Sequence, residues 1–241
     1  MSDRKPIGTT AHTGENCPES GVWKPNGYST TAPIAKGNLT LIENGVDLGK
    51  FADRASRAAT RNLVAIGRFS FNKKPDRLLD AMVALGSRDP GFTLDLIGGE
   101  FDWTRETLAA EIAKRKLEDR VRLHVGVSNG EIARIIAGAS LFVSASVHEG
   151  FGISLIEALS AGLLPVVQAN AAFRSFADRV DEIVLTDYAQ PAQAADAILQ
   201  AQARLAADPA ATRTRLVAAA QPFAWPGVAE RYMRVYEDIV R

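Results

Sequence analysis

Residues 148–157 read HEGFGISLIE. Two carboxylates, Glu149 and Glu157, stand on either side of the turn Gly150-Phe151-Gly152, which runs into the apolar stretch that begins Ile153-Ser154. An ionised carboxylate accepts two hydrogen bonds at once, so each suits the vicinal hydroxyls of a ribose or a hexose. Gly150 and Gly152 let a backbone come close to a ligand. A helix starting near Ile153 would present free N–H groups and a positive dipole end, which favour phosphate. A second cluster, GRFSFNKK at 67–74, holds Arg68 and Lys73. Arginine binds two oxygens in a fork and lysine acts as a point charge, a pairing suited to a diphosphate. The plainer alternatives are a tight turn, solvated surface cations and a solvated mid-helix glutamate. A general acid and base, as in a glycosidase, is a further alternative for the two glutamates. The adjacent phosphate-binding features favour a nucleotide.

Those loops need elements to hold them. NLVAIG (62–67), FTLDLIGG (92–99), VRLHVG (121–126), LFVSAS (141–146) and LPVVQA (164–169) read as strands, with weaker ones at LTLI (39–42) and EIVLT (182–186). Helices are expected from Pro75, over about 104–117, after Asn129 as cap, over ISLIEALSAG, over 191–206 and 210–220, and from Pro226 to Val240. Strands and helices alternate, and several strands are continuously apolar. That pattern predicts an α/β, Rossmann-like, doubly wound parallel sheet. Ligands in such sheets lie at the carboxyl ends of the strands, and the loops GRFSFNKK, GGE, GVSNGE and VHEGFG all fall there.

The 28 Lys and Arg balance the 28 Asp and Glu, which argues against a nucleic-acid partner. The single cysteine, Cys17, forms no internal disulfide or cysteine-based zinc site, and a reducing, cytoplasmic location is expected. No apolar run approaches a membrane span, and the N-terminus lacks a signal-peptide core. Residues 1–38, rich in Gly, Pro, Ser, Thr and Asn, read as turns, a short hairpin or disorder, with His12 and Cys17 incidental rather than metal ligands.

Taken together, residues 39–241 resemble the C-terminal half of a GT-B glycosyltransferase, closest to glycosyltransferase family 4. EGFGISLIE resembles that family's E-x7-E element, and VAIGRFSFNKKPDRLLDAM its G-R-x(4)-K loop. LIENGVDLGKF (41–51) resembles the hinge segment, and FAWPGVAERYMRVYEDIV the closing helix. The resemblance implies that Arg68 and Lys73 bind and stabilise a donor diphosphate and that Glu149 contacts the donor sugar. It implies further that Glu157 holds the ribose and that Gly152, Ile153 and Ser154 offer N–H groups. Gly67, Gly150, Phe151 and Val127 would complete the donor site, with the backbone of 125–128 along the base. Retention at the anomeric carbon and no metal or other cofactor are implied as well. Lys74 stands where glycine is common, and LIGGE replaces a more usual G-x-G.

A GT-B enzyme also has an N-terminal Rossmann domain carrying the acceptor site, which 38 turn-rich residues cannot build. Two readings therefore stand open: a glycosyltransferase or its donor-binding half, acting on a UDP- or GDP-linked hexose, and a non-catalytic nucleotide-sugar-binding module. A partner domain in another chain, or a homodimer through the last helix, is the expected assembly. Trp225, Val228, Tyr232, Val235, Tyr236 and Ile239 recur on that helix at spacings of three or four, forming one stripe.

Overall fold

The computed structural model describes residues 42–240, the side chains of 239 and 240 excepted. The expected hairpin or disorder at 1–38, most of the strand at 39–42, His12 and Cys17 lie outside the described residues. Two compact units emerge. One runs from Asn44 to Val228 and carries every strand named below.

Six parallel strands form its sheet: β1 (Asn62–Ile66), β2 (Thr93–Gly98), β3 (Val121–Val125), β4 (Leu141–Ser144), β5 (Leu164–Gln168) and β6 (Val184–Thr186). Their order is β3-β2-β1-β4-β5-β6. The chain winds outward from β1 in one direction and then returns to lay β4 on its other side. The topological switch point therefore falls between β1 and β4. These two strands pair only at Leu63↔Leu141 and Val64↔Phe142, then diverge. The divergence opens a crevice at their carboxyl ends, where doubly wound sheets take ligands.

The helices are α1 (Pro75–Gly86), α2 (Arg105–Lys114), α3 (Asn129–Ile136), α4 (Ile153–Ala161), α5 (Ala171–Ala177), α6 (Pro191–Ala207), α7 (Pro209–Ala220) and α8 (Trp225–Val240). Pro75 opens α1 at the first position, where its missing N–H costs nothing. Leu63, Leu79, Leu85, Leu94, Ile97, Phe142, Leu155 and Phe173 are almost wholly buried. Each such side chain contributes roughly 1.5–3 kcal/mol by leaving water.

Two details depart from the sequence reading. The cap of α3 is Ser128, not Asn129: its hydroxyl accepts from the Glu131 N–H while the Glu131 carboxylate accepts from the Ser128 N–H at 2.9 Å. This reciprocal box satisfies two donors, which Asn129 alone would not. Helix α5 has no counterpart among the expected elements. Phe173 and Phe176 anchor it, and Asn170 caps it by accepting from the Phe173 N–H at 2.9 Å.

On β2, Asp95 is 4% exposed. It accepts from Arg122 through both oxygens, at 2.7 and 2.8 Å, and lies 2.7 Å from His124 Nε2. The three stand on one face, since register sets Asp95 beside Arg122 and Ile97 beside His124.

Helix α8 passes from the first unit into the second, which contains residues 229–241. Of the apolar stripe, Val228 is buried and Val235 half-buried, while Trp225, Tyr232 and Tyr236 are exposed. Met233 is exposed too. The side chain of Ile239 lies outside the described residues.

Candidate functional site

The loops after β1 and β4 meet across the switch point. Lys73 Nζ lies 2.6 Å from Glu149 Oε1, and their side chains are only 29% and 10% exposed. Asn72 fastens the same joint: its amide donates to the His148 carbonyl at 2.6 Å, and its own carbonyl accepts from the Val147 N–H at 3.0 Å. Arg68 stands beside them, exposed, with its guanidinium 5.0 Å from the Phe101 ring centroid. That contact is a cation–π pair of modest strength at an exposed site. Phe71 packs edge-on to Trp103, and the Phe71 N–H donates to Asp102 at 2.7 Å. Gly67, Arg68, Lys73, Ser144 and Ala145 line a small cavity of about 30 Å3 at this point.

Local backbone explains the loop. Phe71–Lys73 make a 3-10 turn, and Lys74 then adopts the left-handed conformation (φ 50°, ψ 54°) before α1 begins. That conformation favours glycine, so the lysine there is the departure, at a cost of about 1–2 kcal/mol. Gly98 is needed for a different reason: a Cβ would fall 1.9 Å from the Gly67 carbonyl oxygen. Glycine lets the strand ends β1 and β2 approach.

The β4–α4 loop ends at Gly152, whose φ of +99° admits glycine and almost nothing else. A Cβ there would also stand 3.1 Å from the Phe173 ring. Gly150 is different, since open space surrounds its missing Cβ and nothing in the chain demands glycine. From Gly152, α4 runs as an apolar helix whose residues 155–161 are all buried. Ile153, at its first position, is 49% exposed, so the helix start faces outward. Phe151 packs edge-on against Phe176 and Phe223.

Glu157 shares a helix face with Ile153, four residues on. It is 9% exposed, not a solvated charge, and it pairs with Lys50 at 2.8 Å. Lys50 ends the 3-10 turn Leu48–Lys50. The segment that follows is tied to α4: Asp53 N–H donates to Ser160 O and Ala55 N–H to Ala161 O, both at 2.9 Å. Buried Arg213 donates to the backbone carbonyls of Asp53, Ala55 and Ser56 and fixes this segment from behind.

Glu149 and Glu157 are thus alike. Each gives one oxygen to a lysine, and among the described residues the other, Oε2, receives no hydrogen bond and is not wholly buried. A second cavity, of about 230 Å3, lies at the ends of β1, β2 and β3. Its walls are Ile66, Ile97, Val127 and Ile132, with the glycine backbone of 67, 98, 99 and 126. The two cavities share Ile66 and Gly67. An apolar slot with backbone edges suits a flat heterocycle.

The structure therefore groups Gly67, Arg68, Lys73 and Glu149 at the switch point, places Gly150 through Ser154 at the start of α4, and sets Val127 in the larger cavity. Lys50 and Asn72, which hold Glu157 and the His148 backbone, are partners that sequence reasoning missed. The Lys50–Glu157 pair spans 107 residues and Asn72–His148 spans 76, so local spacing carries no signal for either. Among the described residues, no group of three or more His, Cys, Asp or Glu side chains could hold a metal ion. Nor is any described helix long and apolar enough to cross a membrane.

A parallel Rossmann-like sheet with cations and carboxylates gathered at its switch point is the architecture of one half of a GT-B glycosyltransferase, the donor-binding C-terminal one. Residues 50–221 match the family "Glycosyl transferases group 1", and the chain belongs to it. It is 34% identical over 203 residues to the GDP-mannose:cellobiosyl-diphosphopolyprenol alpha-mannosyltransferase of Xanthomonas campestris, covering 84% of this chain and 53% of that protein. The enzyme of the same name from Komagataeibacter xylinus is 31% identical over 210 residues, covering 86% and 53%. The chain thus spans about half the length of the curated relatives it matches. Among solved structures, TarM of S. aureus superposes with a TM-score of 0.67 at 20% identity, over 82% of this chain and 39% of that one. Anabaena Alr3699/HepE, solved with UDP and glucose, gives 0.66 at 18% identity, over 83% and 57%. At these identities the structures speak for the fold alone.

Proposed function

We propose that this chain binds a nucleoside diphosphate hexose across the β1–β4 switch point and serves its transfer to a hydroxyl acceptor with retention. The observation that carries the proposal is the Lys73–Glu149 pair spanning the crevice beside Arg68 and the outward-facing start of α4. Arg68 and Lys73 take the diphosphate, the N–H groups of Ile153 and Ser154 approach its oxygens, and Glu149 meets the sugar hydroxyls. Glu157 receives the ribose diol, and the slot around Val127 takes the base.

The C1–O bond to the diphosphate breaks and its electron pair leaves on the phosphate oxygen. The acceptor oxygen forms the new C1–O bond on the same face, and its proton passes to the departing diphosphate. Arg68 and Lys73 stabilise the charge that builds there, without a metal ion. GDP-mannose is the donor we favour, because the relatives at 31–34% identity are named for it. A reducing cytoplasm suits such a donor and a chain with a single cysteine. The acceptor side falls to a further domain, in a longer chain or a separate one, or to a second copy meeting the exposed Tyr232 and Tyr236 of α8.

A thermal-shift panel of GDP, UDP, ADP, GDP-mannose and UDP-glucose tests the binding step. A guanosine or uridine diphosphate raises Tm, with about 2.7 kcal/mol of stabilisation at a hundredfold excess over Kd. No shift with any of them refutes the reading. The second reading, a module that binds without turnover, is favoured by one observation: the described residues build one sheet, and a positioned acceptor needs a second wall. Positioning can account for roughly 7–11 kcal/mol of a barrier. A radiolabelled donor assay on the 241-residue chain separates the two, since robust transfer by this chain alone excludes the module.

A further inference from the structure

We infer that Lys50 is a positioning residue for the Glu157 carboxylate, holding it in the orientation that receives a ribose diol; this rests on the nucleotide reading above. The carboxylate has little freedom. Its Oε1 lies 2.8 Å from Lys50 Nζ, and the side chain is 11% exposed. The lysine is anchored in turn. Asp47 caps its 3-10 turn by accepting from the Gly49 N–H at 3.0 Å. The backbone just beyond bonds to Ser160 and Ala161, one turn below Glu157 on α4. Lys50 therefore approaches the glutamate from a support that belongs to the same helix.

A carboxylate withdrawn from water needs a counter-charge, and Lys50 supplies it through one oxygen only. Among the described residues the other oxygen has no hydrogen-bond partner and is not wholly buried. Vicinal hydroxyls offer two donors, and one oriented oxygen with its free lone pairs can accept both. A fixed acceptor loses less rotamer freedom on binding than a loose one. Lys50 itself needs no contact with the nucleotide for this role.

The test is calorimetric titration of the full chain with ribonucleoside diphosphates (GDP and UDP) and their 2′,3′-dideoxy forms. Wild type is expected to prefer the ribo form by about tenfold or more, the worth of one charged hydrogen bond. Lys50→Met is expected to lose that preference while binding the dideoxy form as wild type does, which also shows that the variant is folded. Lys50→Arg restores most of the preference by keeping the charge. Glu157→Gln abolishes it, and adding Lys50→Met to that variant changes nothing further. An unchanged preference in Lys50→Met, or an equal loss for both forms, overturns the inference. So does a wild type that binds both forms alike, which leaves the nucleotide reading standing. A wild type that binds no nucleoside diphosphate overturns that reading and this inference with it.

Discussion

Replacing Lys73 by alanine tests the charge arrangement at the switch point most directly. Lys73 and Glu149 are 2.6 Å apart and largely withdrawn from solvent, so together they present almost no net charge to an incoming diphosphate. Lys73→Ala removes a charged hydrogen bond of about 1.5–3 kcal/mol. It also leaves the Glu149 carboxylate facing the phosphates. At about 5 Å and an effective dielectric near 20, that repulsion is roughly 3 kcal/mol, and water entering the vacated space reduces it well below that. The combined loss is about 2–4 kcal/mol, or roughly thirty- to a thousandfold in Kd. Glu149→Gln acts in the opposite sense on the bare nucleoside diphosphate. It leaves a net positive charge, so affinity rises, while the preference for the sugar-bearing donor falls. The double variant recovers part of the Lys73→Ala loss, with a coupling of about 1–3 kcal/mol. Calorimetric titration of the four proteins with the nucleoside diphosphate and its hexose conjugate reads all three quantities. The reasoning fails if Lys73→Ala binds as wild type, or if Glu149→Gln weakens the bare diphosphate as much as Lys73→Ala does.

Three further outcomes are expected. Arg68→Ala weakens nucleoside diphosphate binding by about 1.5–3 kcal/mol; titration calorimetry measures it. Gly152→Ala destabilises the fold by about 1–2 kcal/mol or more in urea unfolding, because φ is +99° and the Phe173 ring stands against the added methyl. Asp95 gives a pH signature. Burial raises its carboxyl, but hydrogen bonds and charge from Arg122 and His124 outweigh that and hold it below its ordinary value. A depressed folded-state value gives stability that is whole above the unfolded carboxylate pKa of about 3.9 and fades as pH falls through the lower folded value. Asp95→Asn is therefore less stable at pH 7 by about 1–3 kcal/mol and loses less on acidification. Parallel pH–stability curves for the two proteins would contradict this.

The strands were legible because β1, β2, β4 and β5 lie inside a parallel sheet and read as apolar runs. Regular alternation then placed four loops on one edge, and the structure groups the cations and Glu149 there. Side-chain partners were not legible. Nothing near Glu149 in sequence points to Lys73, which lies 76 residues away, and Lys50 reaches Glu157 only because Asp53 and Ala55 bond along α4. Helix α5 escaped because its seven residues are too few to show a helical period; it exists because Phe173 and Phe176 have a core to enter. The α3 cap moved by one residue because Ser128 has a reciprocal partner in Glu131.

The short pairing of β1 with β4 bears on how the chain assembles and breathes. The unit β1–β2–β3 closes through neighbours about 30 residues apart, whereas Leu63 must wait for Leu141, 78 residues on. Closing the longer loop carries the larger entropy cost, so this seam is expected to join after the β1–β2–β3 unit has formed. The residues proposed to hold the ligand, Lys73 and Glu149 among them, straddle that seam. A bound nucleotide would act as a removable cross-link over the seam, stabilising the joined form by mass action without adding a covalent bond. The Val147 amide, which donates to Asn72 across the joint, would report it as slowed hydrogen exchange when ligand is present.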